Sequence, residues 1–144
     1  MPLTIFAVYE YDEPIAPGES AIYFGTSNTE IRYEKNAGGN GHTRAMTADG
    51  STELTGSAED TEPHYGTHVF DGASSLLRVD GVLDASGDVG TESPATEGLS
   101  IGAARNGADE MEGVIAELIW YEGRLTDIEI LQMESWLKRK WELY

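Results

Sequence analysis

Cysteine is absent from this 144-residue chain. That excludes a disulfide framework and any thiolate zinc site, and leaves the redox compartment unread. Cations are scarce as well: 9 Lys and Arg stand against 26 Asp and Glu, and only Lys35, Lys138 and Lys140 are lysines. Phosphate binding needs clustered cations, so duplex or single-stranded nucleic acid is not an expected partner. The opening MPLTIFAVYEYDEP carries no basic segment and turns acidic at Glu10. Neither a secretory signal nor membrane insertion is expected from it. No Asn-x-Ser/Thr acceptor for N-glycosylation occurs.

What the chain has in surplus is negative charge, a formal −17. Self-repulsion of this size weakens the compact state in dilute buffer, whereas at about 1 M salt the screening length falls to roughly 3 Å. An acidic, lysine-poor surface therefore suits a halophilic source; an acidic mesophilic protein using charge for solubility is the plainer alternative. The length fits one domain, residues 1–144, large enough to bury about two-thirds of its unfolded surface.

Short runs of β-branched and aromatic residues, separated by Gly, Asn, Asp and Ser, predict an antiparallel sandwich. Leu3–Tyr11 is apolar enough at its start for a central strand covered on both faces. Ser20–Gly25, Thr29–Lys35 and Thr43–Thr47 follow as strands, the second alternating Ile31 and Tyr33 with Glu30, Arg32 and Glu34. Asn36–Gly41 reads as a turn. Residues 48–63 contain a single strongly apolar side chain, Leu54, and read as a surface loop. His64–Phe70 and Ser75–Val82 form a predicted hairpin around Asp71-Gly72, with a second turn at Asp80-Gly81. Leu99–Ala104 and Val114–Tyr121 are the last strands, Gly102 and Gly113 marking bulges or close backbone approach. A helix spans about 126–141: Thr126 and Glu129 form a capping box, and Ile130, Met133, Leu137 and Trp141 share one face. Lys138, Arg139 and Lys140 complement its C-terminal dipole.

Several of these segments carry a resemblance. Phe70-Asp71-Gly72 with Leu77-Arg78-Val79-Asp80-Gly81, then Gly98 to Gly102, then Gly113 to Leu118 through Tyr121, and Leu125-Thr126, Glu129, Glu134 and Leu137 to Trp141 resemble the C-terminal half of laminin-G-like domains of the concanavalin A-like lectin/glucanase superfamily. Leu3–Val8 resembles the family's early core strand. The resemblance implies an all-β, antiparallel jelly-roll β-sandwich with one C-terminal amphipathic helix, binding ligands or partners on one sheet or at the loops of one end. It also implies residues before the core strand that this sequence lacks. An unpaired edge beside Leu3–Val8 is therefore expected, either covered by a neighbouring subunit or another chain, or left in a shortened sandwich that tolerates it through its charges.

Catalysis is not expected. Retaining β-glucanase chemistry on this fold needs Glu-x-Asp-x-x-Glu on one strand face. Glu10-Tyr11-Asp12-Glu13 continues with Pro14 and Ile15, and Glu110 with Glu112 lacks a third partner. His42, His64 and His68 stand in no nucleophile motif. Calcium, which needs only oxygen ligands, is the one candidate cofactor, with Asp84, Asp88 and Asp109 as candidate ligands. Solvated surface carboxylates are the plainer reading of all three. Sugar recognition needs an aromatic platform beside polar groups. Tyr65, Trp120 and Tyr121 with Arg105 and Asn106 are the candidates, although one of Trp120 and Tyr121 is expected in the core and Tyr65 also suits cross-strand packing. Glu117 reads as a structural partner for a backbone or arginine group.

Two functions follow. The favoured expectation is a non-catalytic virion protein of a halophilic host, a capsid or tail decoration working by homo-oligomeric assembly or with other virion proteins and attaching to a host surface receptor or glycan. The alternative is a carbohydrate-binding lectin-like module of a cell-surface or secreted protein.

Overall fold

The computed structural model describes residues 2–12, 20–25, 32–36, 43–47, 52–58, 60–90, 99–103 and 110–143. Their strands are β1 (Leu3–Tyr11), β2 (Ser20–Gly25), β3 (Arg32–Asn36), β4 (Thr43–Thr47), β5 (Glu53–Ala58), β6 (His64–Phe70), β7 (Ser75–Val79), β8 (Val82–Gly87), β9 (Leu99–Ile101) and β10 (Gly113–Glu122). One helix, α1 (Asp127–Lys140), follows them. The strands make two antiparallel sheets of order β10-β1-β6-β7-β8 and β5-β4-β3-β2-β9, a jelly-roll sandwich. No helix among the described residues is long and apolar enough to cross a membrane.

The near-continuous apolar sequence of β1 has a direct cause. Its odd-numbered side chains Leu3, Ile5, Ala7, Tyr9 and Tyr11 fill the space between the sheets with Phe70, Leu77 and Val79. Phe6 and Val8 point the other way, onto a second core built with Tyr65, Val69, Ile130 and Leu137 beneath α1. A strand covered by a sheet on one face and a helix on the other cannot alternate with polar residues.

The expected free edge beside Leu3–Val8 is not there. β1 pairs with β6 from Leu3↔Phe70 to Tyr9↔His64 and with β10 from Leu3↔Glu122 to Tyr11↔Gly113. The edge strands of this sheet are β10 and β8 instead. Residues 48–63 also depart from expectation: a strand, β5, lies within them and pairs with β4. Its polar sequence reflects its position, because an edge strand with exposed Glu53, Thr55 and Ser57 needs only Leu54 and Gly56 directed at the core. β8 is concealed in the sequence in the same way, its Val82 and Leu83 being exposed. Asp80 (φ 54°) and Gly81 (φ 80°) turn β7 into β8 with both central residues left-handed, as a two-residue hairpin of type I′ requires. Glu110 and Glu112 precede β10 rather than sharing a strand face.

Two bulges aim side chains. In β10, Tyr9 pairs with Ile115 but Val8 pairs with Glu117, leaving Ala116 over. Strict alternation would put Glu117 on the inner face with Ile115; the extra residue turns it outward, towards α1. In β8, Leu77 pairs with Ala85 and Arg78 with Leu83, so Asp84 is the surplus residue. Gly113 brings β10 so close to the Glu10 carbonyl that a Cβ there would overlap it.

Candidate functional site

The helix that closes the outer face begins where the sequence predicts. Thr126 caps it: its hydroxyl oxygen accepts from the Glu129 N–H at 3.3 Å, and the Glu129 carboxylate accepts from the Thr126 N–H at 2.8 Å. Thr4, fully buried in β1, pins the connection, donating to the Gly123 carbonyl and accepting from the Leu125 N–H. Below the helix, Glu134 is 3% exposed and takes Thr67 Oγ1 at 2.8 Å, Arg78 Nε at 2.7 Å and Arg78 Nη2 at 3.0 Å. The Glu134 carboxylate raises the Arg78 guanidinium above its ordinary value, against the effect of burial. At the far end, Glu117 accepts from Lys140 Nζ and from Trp141 Nε1 at 2.7 Å. Glu117 is thus a structural partner, of a lysine and a tryptophan rather than of an arginine or backbone group.

These anchors set α1 against β10 and leave a cleft of about 500 Å³ along one flank, within the roughly 300–1,000 Å³ range of small-ligand sites. Ile119, Tyr121, Leu125 and Met133 give it an apolar wall, and Glu129, Gln132 and Trp136 come from successive turns of the helix. Positions 129, 132, 133 and 136 recur at helical spacing, so they form one stripe. Ile130, Glu134 and Leu137 form the buried stripe beside it. Tyr121 is fixed by an edge contact to Phe6, with ring centroids 6.1 Å apart. Trp136, 40% exposed, has the Lys140 ammonium 4.6 Å from its ring centroid. Aromatic faces beside a carboxamide and a carboxylate can hold a ring that has an apolar face and a hydroxyl rim.

A second, polar pocket of about 410 Å³ lies at the His64 end, lined by Asp60, Glu62, His64, Tyr65, Asp80, Lys138 and Glu142 among others. Several of its groups bind one another. His64 Nδ1 is 2.6 Å from Asp80 Oδ2 and Nε2 is 3.0 Å from Asp60 Oδ1, and the Tyr65 N–H donates to Asp80. Burial, then the charges of Glu134 and Asp80, raise the Tyr65 phenol above its ordinary value.

Among the described residues the structure does not gather the sequence candidates into one place. Tyr121 lines the cleft, Tyr65 is buried under the helix at the margin of the polar pocket, and Trp120 packs into the inter-sheet core. Arg105, Asn106 and Asp109 lie outside the described residues, as does His42. Asp84 uses its bulged position to receive Ser57 N and Oγ, joining β8 to β5. Asp88 accepts from the Gly90 N–H. Among the described residues no three His, Asp or Glu side chains converge to hold a metal ion. Sequence reasoning misses Gln132 and Trp136. The signal for one of them is present: Trp136 falls off the predicted Ile130, Met133, Leu137 and Trp141 stripe, and a tryptophan off the predicted core-facing stripe is a large aromatic left for another surface.

Comparison with curated protein sequences gives no match. Among solved structures, domain 4 of AbnA, a GH43 extracellular arabinanase from Geobacillus stearothermophilus, in complex with arabinotriose, superposes with a TM-score of 0.67 at 18% identity. That likeness covers 92% of this chain and 66% of the other. The Ruminococcus gnavus IT-sialidase CBM40 bound to alpha2,3 sialyllactose gives 0.65 at 17% identity, covering 92% and 82%. Trypanosoma rangeli sialidase gives 0.71 at 15% identity, covering 96% of this chain but 23% of the sialidase. The chain therefore spans about two-thirds of the arabinanase domain and under a quarter of the sialidase. The family described as the concanavalin A-like lectin/glucanases superfamily matches residues 9–131. That match runs from β1 into α1 and so takes in the strands of both sheets: the chain belongs to the concanavalin A-like lectin/glucanases superfamily.

Proposed function

We propose that this domain is a non-catalytic, lectin-like carbohydrate-binding module. The observation that carries the reading is the cleft between β10 and α1, where Tyr121 and Trp136 stand beside Gln132 and Glu129 over an apolar wall. Two solved structures of the same fold hold glycans, arabinotriose in one and sialyllactose in the other. This favours the lectin-like alternative over the virion building block expected from composition, and an extracellular or cell-surface setting over a virion. The Glu-x-Asp-x-x-Glu pattern of the hydrolytic relatives is absent from the sequence, which agrees with binding without turnover. Screening the whole chain on a glycan array, with light scattering of the same sample, tests the reading. Retention of a monomer on a defined glycan class supports it. No glycan bound, together with a closed oligomer of defined size, returns the molecule to the class of assembly proteins.

A further inference from the structure

The two tryptophans near the end of α1 share one cation. The Lys140 ammonium stands 4.6 Å from the ring centroid of Trp136 and 5.4 Å from that of Trp141, inside the roughly 6 Å over which a ring face attracts a cation. Both carboxylate oxygens of Glu117 accept from the same ammonium, at 2.8 Å and 2.9 Å, and Glu117 Oε2 also accepts from Trp141 Nε1 at 2.7 Å. Lys140 is therefore anchored from β10 and not only by its own helix. The bulge at Ala116 makes this possible: in strict alternation Glu117 would point between the sheets, out of reach of the last turn of α1.

Trp136 is the residue that gains. Among the described residues it is the one aromatic side chain that α1 contributes to the cleft, and it is 40% exposed. A half-exposed indole has few packing contacts to fix its rotamer, and a ligand that stacks on a free rotor bears the cost of ordering it. Lys140 does not line the cleft, so its ammonium meets the Trp136 ring from outside and leaves the side bordering the cleft available. With Glu117 holding the ammonium and the ammonium drawn to the ring, the indole is oriented before a ligand arrives. The ammonium itself is committed, with two carboxylate oxygens and two indoles around it, which suits it to holding a platform rather than to meeting a sugar. Without Glu117 the lysine stem regains its rotamers and its hold on the ring lapses.

Resting on the lectin reading, we infer that Glu117 is a positioning residue for sugar stacking: through Lys140 it holds Trp136 as the platform of the cleft, so that affinity is set in part by a β10 residue that does not itself line the cleft.

The test is calorimetric titration of the full chain with arabinotriose and α2,3-sialyllactose, and with any glycan that the array retains. Wild type is compared with Trp136→Ala, Glu117→Gln, Lys140→Met, Lys140→Arg and the double variant Glu117→Gln with Trp136→Ala. Circular dichroism and urea unfolding confirm that each variant keeps its helix and fold. Trp136→Ala should bind about tenfold more weakly, the loss expected for one aromatic contact. Glu117→Gln and Lys140→Met should each lose about three- to fivefold, the size of one exposed cation–π contact. Lys140→Arg should stay within about twofold of wild type, because a guanidinium both pairs with a carboxylate and lies over an indole. In the Trp136→Ala background Glu117→Gln should cost nothing further, since its effect runs through the missing ring. Glu117→Gln and Lys140→Met binding like wild type while Trp136→Ala is weak overturns the positioning role and leaves the lectin reading intact. Losses that add in full in the double variant, or Lys140→Arg failing as badly as Lys140→Met, overturn it too. Binding untouched by Trp136→Ala takes the sugar out of this cleft and the positioning role with it. No binding of any of these sugars, with no glycan retained on the array, overturns both readings.

Discussion

Glu134 and Arg78 are among the residues that carry the family resemblance, and their physical role is to join α1 to β7 through two hydrogen bonds around a carboxylate removed from water. Breaking such a pair from one side leaves a charge uncompensated. Glu134→Ala is therefore expected to lose about 3–5 kcal/mol in urea unfolding, and Arg78→Met combined with Glu134→Leu much less than the two single losses together. A result in which the single changes are silent would show that the pair is solvated. Glu117 gives a pH prediction. Burial raises its carboxyl, but hydrogen bonds from Lys140 and Trp141, with the Lys140 charge, outweigh that and hold it below the ordinary 4.5. A depressed value contributes stability that is present above the ordinary glutamate range and lost as pH falls through the folded value. Tyr65 has the opposite sign: raised above 10.0 by burial first and then by Glu134 and Asp80, it contributes stability that disappears as pH rises through its folded value. Thermal melts from pH 7 downward and upward should therefore show an acid limb flattened by Glu117→Gln and an alkaline limb flattened by Tyr65→Phe.

At the scale of elements, α1 and β8 are held by different devices. Thr126→Ala should cost about 1 kcal/mol, the usual contribution of an N-cap, read as helix content and unfolding midpoint. Asp84→Ala removes a carboxylate that receives both Ser57 N and Oγ and should cost about 2 kcal/mol. Faster amide exchange should be confined to β5 and β8. These elements also show what sequence alone can reveal. β1 is readable from apolar character, α1 from its capping residues, and β6 from a compact run next to turn residues. β5 and β8 are not, because edge strands with exposed side chains carry little hydrophobic signal. The bulges at Ala116 and Asp84 are illegible for another reason: a single surplus residue is defined only by its partner strand. Tyr121 and Trp120 look equally suited to a sugar contact until their pairing with Thr4 and Ile5 places them on opposite faces of the sheet. Recognising Trp136 requires knowing which flank of α1 faces β10.

Across the whole molecule the formal charge of −17 opposes compaction. Raising salt from about 0.1 M to about 3 M should lift the melting temperature, at roughly 2–4 °C for each kcal/mol of repulsion screened. A melting temperature indifferent to salt would mean that the acidic side chains are already neutralised by their neighbours. The position of β1 between β6 and β10 has a temporal consequence. Thr4 and Gly123, bonded in the folded protein, are 119 positions apart in sequence. At about 5–20 residues per second of synthesis, roughly 6–24 s separate the emergence of the first from that of the second. Through that interval the most apolar strand waits with one flank unclaimed, in a condition that favours pairing with another nascent copy. The yield of soluble protein is then governed by how quickly the last strand is made and docked, and slowing translation before Gly113 should lower it.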